Sequence, residues 1–284
     1  MSEATDPIQH DSGLAHVVEF FLQINGFEAQ AAHTLRRALD EVIDGMRTGR
    51  WSVNSLEKTE KTYIGTKVEI LFKFDFELTK GNKLDFRVAD TEVDIKCTVL
   101  KDWMIPKEAV GELCLLVRID DLRSKFWIGV IRATPSVLRI GENRDKKSSL
   151  SAVGKKSIHW LVDAGQLPLN FLASLDPGIR EKIFSHRKSG QARINELFRL
   201  VQGRIIPRVA IETIAQQKDS MKRARDARAT MKTEGILVLG HQGEEPKIAA
   251  ARGYPVPKKG EMISIPIVER MGEWEETQSR FLRP

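Results

Sequence analysis

The stretch Lys83-Leu-Asp-Phe-Arg-Val-Ala-Asp-Thr-Glu-Val-Asp-Ile-Lys-Cys97 predicts two short β-strands joined by a turn. Its second half alternates between polar side chains and the apolar side chains of Val93, Ile95 and Cys97. On the polar face Asp94 stands beside Lys96, and Asp85 lies a few residues upstream. Two carboxylates can hold a divalent cation, and an ammonium group can reach a phosphate. The stretch therefore indicates a metal-dependent nuclease, although a solvated strand face with an ion pair fits the same residues.

The overall composition is that of a folded chain of about two domains. The chain has 284 residues, of which 41% are hydrophobic and 30% are charged. It contains no apolar stretch near the ~18 residues of a membrane span, and residues 1–7 show neither a basic nor an apolar signal segment. Cys97 and Cys114 lie in apolar runs, as buried and reduced thiols do. These features predict a cytoplasmic protein with no membrane partner.

Positive charge is concentrated in the second half of the chain. Residues 1–160 contain 24 Lys and Arg against 24 Asp and Glu, so the whole net charge of +6 lies in residues 161–284. A basic half joined to a neutral half is typical of a nucleic-acid-binding domain attached to another domain. A solvated basic surface is the alternative.

Helical periodicity precedes the opening stretch. Residues 14–47 predict two helices separated at Asn25-Gly26, and residues 54–70 predict a third. The third helix ends shortly before the two strands, so Glu69 could lean over the carboxylates of the opening stretch as a further acidic group. A glutamate on the surface of a charged helix is the plainer alternative.

Strand signals dominate the rest of the first half. The expected strands are residues 71–78, 84–88, 92–100, 112–119 and 125–132. Short helices are expected at residues 103–111, 134–140 and 150–162. The strand at 112–119 is almost continuously apolar, as at the centre of a sheet covered on both faces. The pattern predicts an α/β domain over residues 1–161, with a mixed sheet flanked by helices, followed by a linker over residues 162–177 that contains Gly and Pro.

The second predicted domain, residues 178–284, begins with helices. These are expected at residues 190–201, from Pro207 onward and at residues 219–228, and strands are expected at 234–240 and 261–268. This is the order of a winged helix-turn-helix α+β domain, whose third helix enters the major groove; a helical bundle with a basic face is the alternative. The candidate DNA contacts are basic residues at this helix: Lys218, Lys222, Arg223, Arg225 and Arg228. In the first domain the candidate is Lys101.

Several other chemistries are not supported by the sequence. There is no Cys-x-x-Cys or paired-His spacing for zinc and no glycine-rich phosphate loop for ATP. The segment Val42-Ile-Asp-Gly-Met-Arg47 matches the Lys-x-Asp-Gly-x-Arg pattern of DNA ligases except at its first position, where valine offers no nucleophile. A ligase-type reaction is therefore excluded, and Gly45 is expected to close a helix instead.

Motifs along nearly the whole chain carry a family resemblance. In the first half they are Asp44-Gly-Met-Arg-Thr-Gly-Arg-Trp51, Lys58-Thr-Glu-Lys-Thr62, Val68-Glu-Ile70, Val93-Asp-Ile-Lys96 and Trp103-Met-Ile-Pro. In the second half they are Gly190-Gln-Ala-Arg, Asn195-Glu-Leu-Phe-Arg199, Ala215-Gln-Gln217, Met221-Lys-Arg223, Leu239-Gly-His-Gln242 and Pro255-Val-Pro. In this order they resemble the NaeI-type restriction endonucleases of the type IIE class, over about residues 40–260.

The resemblance implies a fold and a set of partners. The fold would be a restriction-endonuclease-like core followed by a helix-turn-helix domain similar to that of the catabolite activator protein. The protein would be a homodimer that binds two copies of double-stranded DNA. One copy is cleaved at a palindromic site in the first domain, and the other activates cleavage from the second domain. A cognate DNA methyltransferase would protect the host.

The resemblance also implies an active site. It assigns catalysis to Glu69, Asp85, Asp94 and Lys96. Asp85, Asp94, Glu69 and the backbone carbonyl of Ile95 would ligate Mg²⁺, for which Mn²⁺ could substitute. Leu84 departs from the general Pro-Asp…Asp/Glu-x-Lys signature at a position that performs no chemistry. A repair or nicking endonuclease on the same core, and a DNA-binding regulator with an inactive nuclease domain, are the alternatives.

Overall fold

The computed structural model describes residues 11–141, 146–185 and 189–267. In these residues the helices are α1 (Ser12–Gln23), α2 (Phe27–Ile43), α3 (Gly45–Thr48), α4 (Lys58–Asp75), α5 (Ala152–Lys156), α6 (Pro177–Phe184), α7 (Gly190–Leu200), α8 (Arg208–Ala215), α9 (Ser220–Thr233) and α10 (Glu245–Ala251). The strands are β1 (Thr79–Lys80), β2 (Phe86–Val88), β3 (Thr91–Thr98), β4 (Met104–Pro106), β5 (Leu113–Asp120), β6 (Lys125–Arg132), β7 (Lys147–Ser149), β8 (His159–Gln166), β9 (Ile206–Pro207), β10 (Ile236–Leu239) and β11 (Glu261–Pro266).

The chain folds into two compact units. One consists of Met1–Ile43 and Ser52–Asn170, and the other of Asp44–Trp51 and Phe171–Pro284. The expected linker at 162–177 is wrong in its first part, because His159–Gln166 forms the edge strand β8 and pairs with β6. The local composition of this segment is that of a loop, but pairing with the distant strand β6 makes it a β-strand.

A six-stranded mixed sheet in the order β1-β2-β3-β5-β6-β8 forms the centre of the first unit. Strands β3 and β5 run parallel, and the other neighbours are antiparallel. Apolar residues of α1, α2 and α4 cover one face of this sheet. A smaller apolar cluster, to which β4 contributes, covers β5 and β6 on the other face. Strand β5 is therefore buried on both faces, as its apolar sequence predicts.

The helices of this unit begin and end at recognisable local signals. The side chain of Asp11 accepts a hydrogen bond from the backbone N–H of Leu14 (3.0 Å) at the start of α1. Gly26 has a φ of +71° in the turn between α1 and α2, which confirms the predicted break there. Glu57 and Glu60 form a capping box at the start of α4.

Helix α4 is longer than the sequence suggests, and the strand expected at 71–78 is wrong. Phe72 and Phe76 are buried, whereas Phe74 is 77% exposed. The alternation of these three rings resembles a strand, but the rings at positions i and i+4 share one helical face. That face packs on the core through Phe27, whose ring centroid lies 5.3 Å from that of Phe76.

Three other expected helices of the first unit are also corrected. Residues 103–111 form β4 and a 3₁₀ turn at Lys107–Ala109, and residues 134–140 contain only a 3₁₀ turn at Pro135–Val137. Of residues 150–162, only Ala152–Lys156 is α-helical. In each case pairing or packing against another segment overrides the local helical pattern.

The second unit contains the expected helices and strands. Helices α7, α8 and α9 surround one apolar core, and the antiparallel sheet β10-β11-β9 lies next to them. Helix α9 extends to Thr233, beyond the predicted end, and α10 was not predicted. No helix in the described part of the chain is long and apolar enough to cross a membrane.

Gly45 does not close a helix, contrary to expectation. Helix α2 ends at Ile43, Asp44 adopts the left-handed conformation with φ 48°, and Gly45 starts the short helix α3. A Cβ atom on Gly45 would overlap the side chain of Thr213 in α8 and would lie 2.7 Å from the carbonyl oxygen of Arg50. Glycine is therefore required by the close approach of α3 to α8 within the second unit.

Candidate active site

A tight hairpin places the predicted site residues of β2 and β3 side by side. The strands pair in antiparallel register, with Phe86 opposite Val93, and are joined at Ala89-Asp90. Both turn residues have positive φ, 46° and 60°, which matches the twist of the two-residue hairpin turn. Just before β2, Asp85 accepts a hydrogen bond through Oδ2 from the backbone N–H of Ile95 (2.8 Å). This bond fixes the first carboxylate against the strand that bears the other two functional groups.

Asp94 and Lys96 form a closely paired acid and base on the polar face of β3. Asp94 is only 5% exposed, and its Oδ2 lies 2.7 Å from Lys96 Nζ. Burial raises the pKa of Asp94 to about 6; the ammonium of Lys96 opposes this shift, and the negative charge of Asp85 adds to it. The pairing predicted from the spacing is thus present, and it lies in a partly desolvated setting.

Lys96 also contacts the backbone at the position proposed for a metal ligand. Its Nζ donates a hydrogen bond to the carbonyl oxygen of Ile95 (3.2 Å). The ammonium therefore contacts two oxygens, one from Asp94 and one from Ile95. These two oxygens already bind a positive group in the structure. Carboxylate and carbonyl oxygens are the hard ligands that Mg²⁺ prefers.

Glu69 reaches the same electrostatic neighbourhood from α4. The helix runs alongside β3, since a Cβ atom on Gly65 would lie 4.0 Å from the carbonyl oxygen of Cys97. Burial raises the pKa of Glu69, as does the negative charge of Asp85, whereas Lys96 lowers it. The four predicted catalytic residues therefore interact through their charges. Across the described ranges, however, no three His, Cys, Asp or Glu side chains are grouped closely enough to hold a metal ion as they stand.

Comparison with known proteins shows the family to which this chain belongs. The family model described as "Restriction endonuclease NaeI" matches residues 16–278. The type II restriction enzyme NaeI of Lentzea aerocolonigenes is 41% identical over 249 residues, which are 84% of this chain and 78% of that protein. The chain belongs to the NaeI restriction endonuclease family. The predicted family and the predicted enzyme class, a type II restriction endonuclease, are confirmed.

The NaeI-family assignment also fits the first compact unit. A mixed central sheet flanked by helices is compatible with a restriction-endonuclease-like core. The four residues that the family resemblance assigned to catalysis lie in or beside α4, β2 and β3 of this unit, where their charges interact.

One residue beside the candidate site was given no role by the sequence reasoning. Glu92 lies on the same face of β3 as Asp94, and its carboxylate accepts hydrogen bonds from the backbone N–H groups of Asn82 (2.9 Å), Lys83 (3.2 Å) and Leu84 (3.0 Å). These bonds tie down the loop that leads directly into Asp85. The signal was the position of Glu92 two residues before Asp94, but only the folded loop shows what it binds.

Some candidate DNA-contact residues of the second unit are exposed, and others are bonded to residues of their own unit. Lys218, Lys222 and Arg225 are exposed. Arg223 donates a hydrogen bond to Gln217 Oε1 (3.0 Å). Arg228 is paired with Glu245 (2.7 Å) and also donates to the carbonyl oxygen of Val238 (3.2 Å), so its guanidinium holds α9 within its own unit.

In the first unit, the candidate Lys101 is exposed in the loop that follows β3. Trp103, two residues further on, is a core residue, because it is buried and its indole N–H donates to the carbonyl oxygen of Val117 (2.8 Å).

The two cysteines are free thiols, and burial raises the pKa of both Cys97 and Cys114 to about 12. They therefore stay protonated and unreactive at neutral pH.

Proposed function

We propose that this chain is a Mg²⁺-dependent type IIE restriction endonuclease that cuts both strands of DNA at a palindromic site. Its first unit hydrolyses the phosphodiester bond, and a second DNA copy bound to its second unit activates the reaction. The observation that supports this most directly is the set of interacting charges of Asp85, Asp94, Lys96 and Glu69 at the interior strand β3 of a restriction-endonuclease-like sheet.

The donor set suits a divalent cation. Asp85, Asp94 and the Ile95 carbonyl would hold the ion, with Glu69 completing the site directly or through water. The bound ion supplies positive charge to the scissile phosphate and makes a nearby water more acidic. The raised pKa of Asp94 supports this assignment. Burial and the negative charge of Asp85 destabilise its ionised carboxylate, and Lys96 offsets this only in part, so a bound cation would stabilise the carboxylate further. Mn²⁺, which accepts the same oxygen ligands, could substitute.

Lys96 is the residue of this chain that acts on the reacting phosphate. In the free protein its ammonium rests against Asp94 and the Ile95 carbonyl. The side chain is 24% exposed, so it has a route to an incoming DNA backbone. From there the ammonium would help orient the attacking water and donate to the phosphate oxygens as negative charge develops, whereas only the neutral amine could take a proton from that water. Hydrolysis proceeds without a covalent bond to the protein.

The second unit is proposed to be a winged helix-turn-helix domain that holds the activating DNA copy. Two features support this: the order α7, β9, α8, α9, β10, α10, β11, and the tight connection at residues 216–219 between α8 and α9. Helix α9 would enter the major groove, with the exposed Lys222 and Arg225 facing the DNA. Lys218, in the connection, would contact the backbone.

The assembly and setting follow from the same proposal. A two-fold symmetric homodimer places one active site on each strand of a palindrome. The two free thiols suit the reducing cytoplasm, and the host would carry a cognate DNA methyltransferase.

Mapping the ends of DNA digested in the presence of Mg²⁺ tests the chemistry. We expect breaks in both strands at one recurring sequence, whereas only single-strand breaks on a supercoiled plasmid would favour the nicking enzyme. An absence of cleavage with either Mg²⁺ or Mn²⁺ would favour the DNA-binding regulator.

A separate comparison tests activation by the second copy. A plasmid with two sites should be cut faster than a plasmid with one, and a duplex carrying the site should restore the rate on the one-site plasmid. Equal rates on the two plasmids would remove the activating copy from the proposal while leaving the nuclease intact.

A further inference from the structure

Three backbone segments lie side by side on the sheet face that carries the catalytic pair. Strands β4 and β7 pair in antiparallel register, with Met104 opposite Ser149. On the other side of β7, the backbone N–H of Arg139 donates to the carbonyl oxygen of Ser149 (2.8 Å). The next residues, Leu138 and Leu150, form an antiparallel bridge. Residues 104, 149 and 139 are therefore neighbours across a small three-segment ribbon, here called the 104–149–139 row.

The two faces of this ribbon differ in character. Ile105 and Leu150 are buried in an apolar cluster, and Leu138 packs against it. Alternation then turns the 104–149–139 row away from that cluster. Met104 is 39% exposed, Arg139 is exposed and Ser149 is partly exposed. The outer face thus presents an apolar side chain, a hydroxyl and a guanidinium in adjacent positions.

The ribbon is attached next to the catalytic residues. Its apolar cluster includes Cys114 and Leu116 of β5. These two residues are the register partners of Asp94 and Lys96 on β3, so all four side chains emerge from the same face of the sheet. A duplex whose backbone reaches Lys96 on this face would run past the ribbon.

Positive charge surrounds this part of the ribbon. Asp102 is paired with Lys155, and Arg139 and Lys101 also hold the pKa of Asp102 below its ordinary value, which shows that their charges converge there. Lys146, just before β7, and Lys156, the last residue of α5, are exposed nearby in the chain. An anionic ligand matches this surface, and the major groove of B-DNA admits a two-stranded β-ribbon such as the pair formed by β4 and β7.

We propose that the 104–149–139 row reads base edges of the DNA copy that is cleaved, while Lys101 contacts its backbone. The inference rests on the proposed function and adds to it the residues that select the sequence. Arg139 would donate a two-pronged pair of hydrogen bonds to a guanine, Ser149 would bond either base of a pair, and the Met104 side chain would contact a thymine methyl or another apolar edge.

The test uses full-length protein, Mg²⁺ and a pool of duplexes in which the mapped cleavage site is randomised one base pair at a time. Arg139→Ala should lower cleavage of the natural site roughly tenfold to a hundredfold while relaxing the preference at one base pair. Arg139→Lys should give an intermediate result, since a lysine lacks the planar fork. Met104→Ala should relax a different position of the site.

Two further variants separate base reading from simple attraction. Lys101→Ala should weaken cleavage of all sequences alike and make it less sensitive to salt, as expected for a phosphate contact. Lys58→Ala is the matched control, because Lys58 is an exposed cation on α4, which packs on the opposite face of the sheet. It should leave both rate and preference unchanged.

Unchanged base preference in both Arg139→Ala and Met104→Ala would overturn the inference, and so would a uniform loss at every sequence for both. If Arg139→Ala fails to fold, as judged by its melting curve, Arg139→Lys and Met104→Ala decide the matter. Failure of the wild-type protein to cut any defined site would refute the proposed function instead, so the two failures are distinguishable.

Discussion

The two units place their functional charges in opposite environments. In the first unit the key carboxylate, Asp94, is 5% exposed and pairs with a lysine on the same strand. In the second unit the cations of α9 lie mainly on the surface, and Lys222 and Arg225 are exposed. Buried charge is costly to maintain, but it acts strongly on a reacting group because the local dielectric is low. Exposed charge costs little and suits a long, anionic partner.

The same contrast appears in how each unit supports its charges. Backbone N–H groups and strand register hold the acidic residues of the first unit, as the bond from Ile95 to Asp85 (2.8 Å) shows. In the second unit, arginines brace the helices. Arg193 donates to the carbonyl oxygen of Ile214 (2.7 Å) at the end of α8, and Arg228 pairs with Glu245 (2.7 Å). A basic residue in this unit can therefore serve to hold its own helices together, so its charge alone does not identify it as a DNA contact.

Removing the buried charges of the first unit should have the largest effect. Asp94→Asn and Lys96→Ala are each expected to slow DNA cleavage at least ~10²–10³-fold, because the first removes a proposed ligand of the cation and the second removes the ammonium proposed to stabilise charge developing at the phosphate. Binding of DNA by the second unit should be nearly unchanged, as measured by titration without the metal ion. Cleavage at a near wild-type rate by either variant would show that the site is wrongly assigned.

Gly45→Ala should destabilise the second unit by about 1–3 kcal/mol, because the new methyl group must displace Thr213 or the backbone at Arg50. Hydrogen exchange reports the two units separately and is the suitable measurement. Gly65→Ala is the counterpart in the first unit. The new methyl group would lie 4.0 Å from the carbonyl oxygen of Cys97, an ordinary contact, so the variant should be neutral or stabilise α4 by up to ~1 kcal/mol. Equal effects of both changes would contradict the tight packing of α3 on α8.

Neutralising α9 should change the salt dependence of DNA binding. Lys222→Ala and Arg225→Ala should each reduce the slope of log affinity against log salt by ~0.9 if each side chain contacts one phosphate. Arg228→Ala should instead lower the melting temperature, since it leaves Glu245 without its partner at 2.7 Å. Unchanged slopes for both exposed residues would exclude α9 as the DNA-facing helix.

The smallest effect is expected for an exposed ion pair. Lys247 lies 3.0 Å from Glu244, but the two side chains are 75% and 74% exposed. Lys247→Ala should change the free energy of unfolding by less than ~0.5 kcal/mol, and the change should vanish in high salt. Denaturant unfolding at two salt concentrations measures it. A larger loss would mean that surface pairs matter more in this unit than their exposure indicates.

The candidate site was predictable largely because its signals are local. Asp94 and Lys96 share one face of β3 whatever the rest of the chain does, since strand geometry alternates at every residue. Glu69 was harder to predict, because its position depends on how α4 packs along β3. Glu92 was missed, since its bonds to Asn82, Lys83 and Leu84 exist only once the loop has closed.

Errors in the predicted fold fall where local and long-range signals disagree. The rings at 72, 74 and 76 alternate like a strand, yet burial of Phe72 and Phe76 extends α4 to Asp75. The loop-like composition at 162–166 gives way to pairing with β6. A window of neighbouring residues contains no information about such partners, and the energy of burial exceeds the local preference.

By itself, the sequence determined the groups on which the proposed chemistry rests: two carboxylates and an ammonium at strand spacing, a further carboxylate on the preceding helix, and a basic second half. These features depend on residue type and near spacing, which no packing can alter. Only the tertiary structure decided that Asp44–Trp51 belongs to the second unit, that Arg228 is a brace, and that residues 104, 139 and 149 form one row. Each of these depends on contacts between residues far apart in the chain, which form only when the core excludes water and the backbone groups find their partners.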